Sequence, residues 1–373
     1  MSESASFFEI ILDLFIWLVL YFTLRPVLNP SIRISRQKIV CSYLLMMLFC
    51  LIPFFGGDFF HYYQNYVAVK NGEFTHLEGV YAWFIKNCCG SYYIFRFGVW
   101  GMALFLTLKA YKRIDVDFQL VLFFFGVIYL PWFSYARVSL AMSFIFLGLS
   151  YIAKPIKRRR VFSIILGLSL ILISEVFHRS AFIGIVCALA SILFRHPNRK
   201  SIFVLCILFP IVTIALSFVL NQFMNIDLGY DDFITGRHRD DYLNSEVRGG
   251  ISMGLGPYIM VVFSRAPLFI IAAMYVYCVY KGYFNYFANS TKIISSYAFI
   301  LIMLAFAFSF DLGYNTYTIY YRTLNFAHIP SAVFLAKLHS LGIAPKMFKL
   351  IYYSSLFGVF YTLVYSSYCA LVV

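Results

Sequence analysis

A chain of 373 residues that is 62% hydrophobic and only 12% charged carries more apolar surface than a soluble domain of that length hides. That excludes a soluble enzyme or binding module and predicts an all-α polytopic membrane protein, a single multi-pass domain over 1–373. The net charge of +14 is one that nucleic-acid binders carry, but its distribution along the chain is a topology signal, which excludes that partner.

Apolar runs that approach the roughly 20 residues of a membrane span fall near 7–24, 39–55, 93–110, 118–133, 138–153, 161–177, 180–194, 201–220, 256–280, 293–310, 323–336 and 347–368. About 12 transmembrane helices are therefore predicted. The first run follows Glu3 and holds Glu9 and Asp13, with no basic residue before Arg25. It lacks the basic start of a secretory signal and reads as a permanent span.

The loops divide by charge. Arg25 to Lys38, Lys109 to Arg113, "KPIKRRR" (Lys154 to Arg160), Arg195 to Lys200, Lys281 to Lys292 and Lys337 to Lys349 together hold 20 of the 30 basic residues. Only Asp115 and Asp117 accompany them. The positive-inside rule makes these loops cytoplasmic and turns both termini outward. Two long outer loops are predicted, at about 56–92 and 221–255, and loops of that length usually carry function. The cysteines show neither CxxC pairs nor zinc spacing. Cys41, Cys50, Cys187, Cys206, Cys278 and Cys369 lie in apolar runs and read as core.

Ionisable residues gather at outward span ends. They are Asp58 and His61 in "GGDFFHYYQNY", Arg96, Arg137 in "SYARVSLAMSF", Glu175, His178 and Arg179 in "SEVFHRSAFIG", Arg265 in "VVFSRAPLF" and Arg322 in "YYRTLNF". The second outer loop adds Arg237, Arg239 and Arg248. A charge inside a span costs about 2.5–3.5 kcal/mol unless it faces water or a partner. Several arginines near one leaflet point to a shared anion, and the guanidinium fork suits phosphate or pyrophosphate. The outward leaflet of a bacterial inner membrane offers the pyrophosphate of the sugar-carrying lipid. The tyrosines of "HYYQNY" add faces and hydroxyls for sugar rings, although tyrosines of an interfacial belt look the same. Each residue has a plainer reading beside the functional one. His178 is also readable as a structural histidine, Arg137 as a span-end anchor, and Arg96 and Arg265 as partners of Glu175 or Asp13. Asp58 and His61, three apart, share a helix face, but no third ligand stands at metal spacing. No metal and no cofactor is expected.

"GGDFFHYYQNY", "ARVSLAMSFIFLGLSYIAKPIKRRR", "SEVFHRSAFIGIV" and "YYRTLNFAHIP", in that order, resemble the EpsG family of exopolysaccharide and O-antigen polymerases, the Wzy-type enzymes. The resemblance lies in D-x-x-x-Y (Asp58, Tyr62), R-x-x-x-A (Arg137, Ala141), F-H-x-S-A (Phe177, His178, Ser180, Ala181) and the late Arg322. Val138 stands where the family often has Gln. The resemblance implies a GT-C-like glycosyltransferase with an outward-facing catalytic cavity in the bacterial inner membrane. Donor and acceptor are then undecaprenyl-pyrophosphate-linked oligosaccharides, with neither nucleotide sugar nor metal. Arg137, His178, Arg322 and Asp58 are the implied catalytic residues. His61, Tyr62, Arg179, Arg237, Arg239, Arg248 and Arg265 are the implied substrate contacts. Membrane lipids, a chain-length regulator and a flippase are the implied partners. His178 or Asp58 takes the acceptor's proton, and Glu175 orients His178 or balances Arg179. A flippase for the same lipid is the main rival; it calls for ionisable residues deep in the spans, where the sequence places few. A membrane acyltransferase and a non-enzymatic assembly protein are weaker alternatives.

Overall fold

The structure is a computed structural model that describes residues 7–52, 57–73, 75, 77, 79–133, 136–178, 180–208, 211, 215, 255–308, 314–343 and 345–372. At 57–61, 255–264, 307–308, 314–322 and 362–372 it describes the backbone alone. The described chain is helical throughout: α1 (Phe7–Leu24), α2 (Arg36–Leu51), α3 (Gly57–Asn71), α4 (Val80–Cys88), α5 (Tyr92–Tyr111), α6 (Phe118–Phe123), α7 (Ala136–Ala153), α8 (Arg160–Phe177), α9 (Ala181–Leu193), α10 (Leu255–Tyr280), α11 (Asn289–Phe308), α12 (Tyr314–Ser340) and α13 (Pro345–Val372). No strand occurs among the described residues.

Length and composition let five of these segments cross a membrane: Phe7–Leu28, Tyr92–Tyr111, Ala136–Ala153, Arg160–Phe177 and Asn289–Phe306. Phe118–Trp132, Ala181–Leu193 and Arg265–Tyr280 are shorter apolar helices. The first predicted outer loop is not irregular. It folds into α3 and α4, which lie over the start of α5. The second, 221–255, with Arg237, Arg239 and Arg248, falls outside the described residues apart from Leu255.

Local chemistry sets several boundaries. Ser35 and Ser91 accept N-terminal amides of α2 and α5, and Asp117 accepts two from the first turn of α6. Beyond α6 the backbone widens into a π-turn, Phe124–Tyr129, then tightens over Leu130–Trp132. The cause is Pro131, which has no N–H for the carbonyl of Val127 four residues back. Trp17 on α1 supplies the missing donor, its Nε1 lying 2.8 Å from that oxygen.

α7 is the central helix and packs most extensively on α8. Gly148 and Gly167 allow this approach: a Cβ on Gly148 would lie 2.5 Å from the Gly167 oxygen, and one on Gly167 would lie 2.7 Å from the Gly148 oxygen. The opposite face of α8 presents Val161, Phe162, Ile165, Leu172 and Val176 outward. An exposed stripe of that kind fits lipid rather than water. Cys41 departs from the sequence reading and is exposed, because it lies on the outer side of α2; Cys50, Cys187 and Cys278 are buried as expected.

One end of the bundle is tied by charge. Asp115 receives Lys154 Nζ at 2.5 Å and Ser290 Oγ at 2.7 Å, joining the ends of α5 and α7 to the start of α11. Arg33 pairs with Asp117 beside it. This is the end that carries the lysine-rich loops.

Candidate functional site

The opposite end gathers the motif residues. α7 begins and α8 finishes there, so Arg137 and His178, 41 positions apart in sequence, lie at the same end of the bundle. α3 and α4 close over them. Arg137 is half-buried, with Nε donating to Tyr62 Oη at 3.3 Å and the guanidinium carbon 5.8 Å from the Tyr62 ring centre. The tyrosine thus provides both an oxygen and a π-face to one cation. Tyr62 itself is buried.

Tyr81 on α4 completes the cluster. Its hydroxyl donates to the carbonyl of Phe177 at 3.1 Å, and its ring meets Phe177 edge-on at 6.2 Å and Phe95 at 6.3 Å. Burial pushes its phenol well above the usual tyrosine range; Tyr62 adds to this and Arg137 opposes it. Tyr81 therefore stays a neutral donor and lies within electrostatic reach of both site residues. Nothing in the sequence singles it out, since "GVYAWF" reads as ordinary loop or helix. Its role follows from α4 folding back over α5.

The turn between α8 and α9 is short and pinned. His178 leaves the helix with an extended backbone, while its N–H still reaches the Ser174 carbonyl at 3.3 Å. Its own carbonyl accepts from Ala181 N at 2.8 Å as α9 starts. Phe177 stacks on Phe144 of α7, with centres 4.8 Å apart and planes at 11°. The ring of His178 faces forward along the chain: Nδ1 lies 3.1 Å from Ser180 N and 2.6 Å from Ser180 Oγ. Glu175 was expected to orient His178 or to balance Arg179; at Nδ1 the structure places Ser180.

Other predicted site residues are placed less completely. Asp58 and His61 sit in the first two turns of α3, three positions apart, and Arg322 lies in α12; the side chains of all three fall outside the described residues, as does Arg179. Arg265 is buried in α10 and acts electrostatically on His328. It belongs to an interior polar group that also holds His328 and Tyr129, whose rings lie 5.5 Å apart. Arg96 is likewise an interior residue. It donates to the Cys50 carbonyl at 2.5 Å, lies 4.2 Å from the Trp100 ring centre, and attracts the buried Asp13 electrostatically. The sequence left the bundle interior almost free of ionisable groups, and these residues correct that picture. Arg96 is shielded by the Trp100 ring and the Cys50 carbonyl, and His328 by the Tyr129 ring, contacts that a linear pattern does not reveal.

Among the described residues, no group of three histidine, cysteine, aspartate or glutamate side chains has the disposition to hold a metal.

The EpsG family model matches residues 37–371. The chain belongs to the EpsG family. That span covers all four quoted motifs, from Asp58 to Arg322. Membership points to a polysaccharide polymerase role in a membrane, in keeping with the apolar helices. No curated protein and no solved structure matches the chain.

Proposed function

We propose that this EpsG-family chain is a GT-C-like membrane glycosyltransferase that polymerises lipid-linked oligosaccharide repeats into O-antigen or exopolysaccharide. Its substrates are undecaprenyl-pyrophosphate-linked oligosaccharides, and its site faces the periplasm from a bacterial inner membrane. The observation that carries the reading is the convergence of Arg137, Tyr62, Tyr81 and the His178 turn at the end of the bundle opposite the lysine-rich loops. Positive-inside topology makes that end the outward one.

The acceptor hydroxyl oxygen attacks the anomeric carbon of the donor sugar. The bond from that carbon to the phosphate oxygen breaks, and the electron pair leaves with the pyrophosphate on its lipid. Arg137 and Arg322 stabilise the charge that grows there, and Arg179 and the loop arginines Arg237, Arg239 and Arg248 guide the anion; Arg265, buried beside His328, takes no part in this step. Tyr62 and His61 contact sugar. Asp58 takes the hydroxyl proton as the new glycosidic bond forms. The chemistry requires neither a nucleotide sugar nor a metal. A flippase upstream and a chain-length regulator beside the enzyme are its partners.

Deletion of the gene, followed by gel analysis of the surface glycan, tests this. Loss of a polymerase leaves single-repeat glycan on the surface. Loss of a flippase leaves none, and that outcome would reassign the chain to transport.

A further inference from the structure

The F-H-x-S-A element contains a constraint on the state of its histidine. Ser180 brings two groups to His178 Nδ1, the backbone N–H at 3.1 Å and the hydroxyl at 2.6 Å. A hydroxyl donates or accepts, but a backbone N–H only donates. Nδ1 must therefore offer its lone pair. A neutral imidazole with its lone pair on Nδ1 carries its proton on Nε2. A proton on Nδ1 would set two N–H groups against each other across 3.1 Å.

The surroundings resist rearrangement. The His178 backbone is held on both sides, by Ser174 and by Ala181. The preceding carbonyl is tied to Tyr81, and the Phe177 ring is stacked on Phe144. The two-residue spacing has the logic of a side-chain turn, in which an acceptor captures the amide two positions on and ends the helix. Ser180 is itself buried, so water does not compete readily for either contact.

We propose that His178 meets the substrate as a hydrogen-bond donor through Nε2–H, aimed at an oxygen of the departing phosphate, and that Ser180 is the positioning residue that fixes this tautomer. The identity of that oxygen rests on the polymerase reading; the tautomer does not. In this role His178 accepts no proton. It shares the negative charge that develops on the leaving group, as an oxyanion-hole donor does. The hydroxyl proton goes to the carboxylate of Asp58, and the histidine ends the cycle in the state in which it began.

The test uses full-length protein in lipid nanodiscs with its histidines labelled with nitrogen-15. The His178 resonances are assigned by their loss in His178→Gln. A pyridine-like Nδ1 and a pyrrole-like Nε2 at neutral pH are expected. A pyrrole-like Nδ1, in either the other tautomer or the cation, overturns the inference. Ser180→Ala, which removes the 2.6 Å contact, is expected to move the Nδ1 resonance; an unmoved resonance removes Ser180 from the positioning role. Turnover of a synthetic lipid-linked repeat is the second measurement. Glutamine places an amide N–H near Nε2, and asparagine places one near Nδ1. His178→Gln is expected to keep at least about a tenth of the rate, with His178→Asn and His178→Ala losing about 10²–10³. Glutamine as inactive as alanine, at equal yield of folded protein, contradicts a donor role. Wild-type protein that makes no polymer sinks the polymerase reading, and the nitrogen spectrum then decides the tautomer by itself.

Discussion

Arg137 meets Tyr62 through both the ring and the hydroxyl oxygen. Arg137→Ala is expected to abolish polymer while the protein still inserts, and Arg137→Lys to restore only part, since an ammonium lacks the planar fork. Arg322→Ala is expected to behave in the same way. Ladders of normal length in both alanine variants would remove these arginines from the mechanism. Tyr62→Phe leaves the ring face and deletes the oxygen; the loss of one hydrogen bond, worth about 1 kcal/mol, corresponds to roughly fivefold in rate. Tyr81→Phe frees the Phe177 carbonyl at similar cost, and a drop in His178-dependent rate with unchanged yield is the expected signature. Arg137 and His178 stand out in the sequence as candidates, because a cation or an imidazole at the end of an apolar run away from the lysine-rich loops departs from the topology rule. Tyr81 was not legible as a site residue, and Ser180 was legible only as a member of the F-H-x-S-A element, without a role. Tyr81 contributes a hydrogen bond to the Phe177 carbonyl and Ser180 two contacts to His178 Nδ1, and tyrosine and serine at a membrane surface are common enough to carry no signal.

The α7–α8 pair and the Asp115 junction set the geometry at the scale of elements. Gly148 and Gly167 each face the other's carbonyl at a distance no side chain tolerates. Gly167→Ala is expected to push the helices apart and destabilise the protein by about 1–3 kcal/mol, read as a lower melting temperature in detergent. Because Phe177 and Phe144 lie on the same pair, activity should fall as well. An unchanged melting temperature would show that the close approach is dispensable. At the other end, burial works to raise the Asp115 carboxyl, but bonds from Lys154 and Ser290 outweigh it and hold the group below its usual range. A depressed folded-state value contributes stability that is present above the unfolded value, near the ordinary 3.8, and is lost as pH falls through the folded one. Acid unfolding monitored by circular dichroism should therefore show wild type losing this contribution below about pH 4, and Asp115→Asn lacking it at neutral pH. A variant as stable as wild type at neutral pH would contradict the junction's role. Helix positions were largely readable from apolar runs: the predicted 93–110 and 161–177 became Tyr92–Tyr111 and Arg160–Phe177. The π-turn at Phe124–Tyr129 was not readable, because it depends on Trp17 replacing a donor 110 positions away.

For the whole molecule, apolar composition predicted a helical membrane protein, as the helices and apolar spans bear out, and charge distribution separates a lysine-rich end from the end where Arg137 and His178 lie. What composition could not supply is how the first outer segment folds, because its helices α3 and α4 owe their place to aromatic contacts with α5 rather than to their own hydropathy. The central claim is that the end of the bundle holding Arg137, Tyr62 and His178 transfers glycosyl groups between lipid-linked repeats. The most direct measurement is incubation of the purified chain, in nanodiscs, with synthetic undecaprenyl-pyrophosphate-linked repeat and no nucleotide sugar, followed by gel and mass analysis of the glycan. A ladder spaced by one repeat, with lipid pyrophosphate released in step and both absent in Arg137→Ala and His178→Ala, is the predicted result. Unchanged repeat in wild type, under conditions where the protein is folded and binds the lipid, would contradict it.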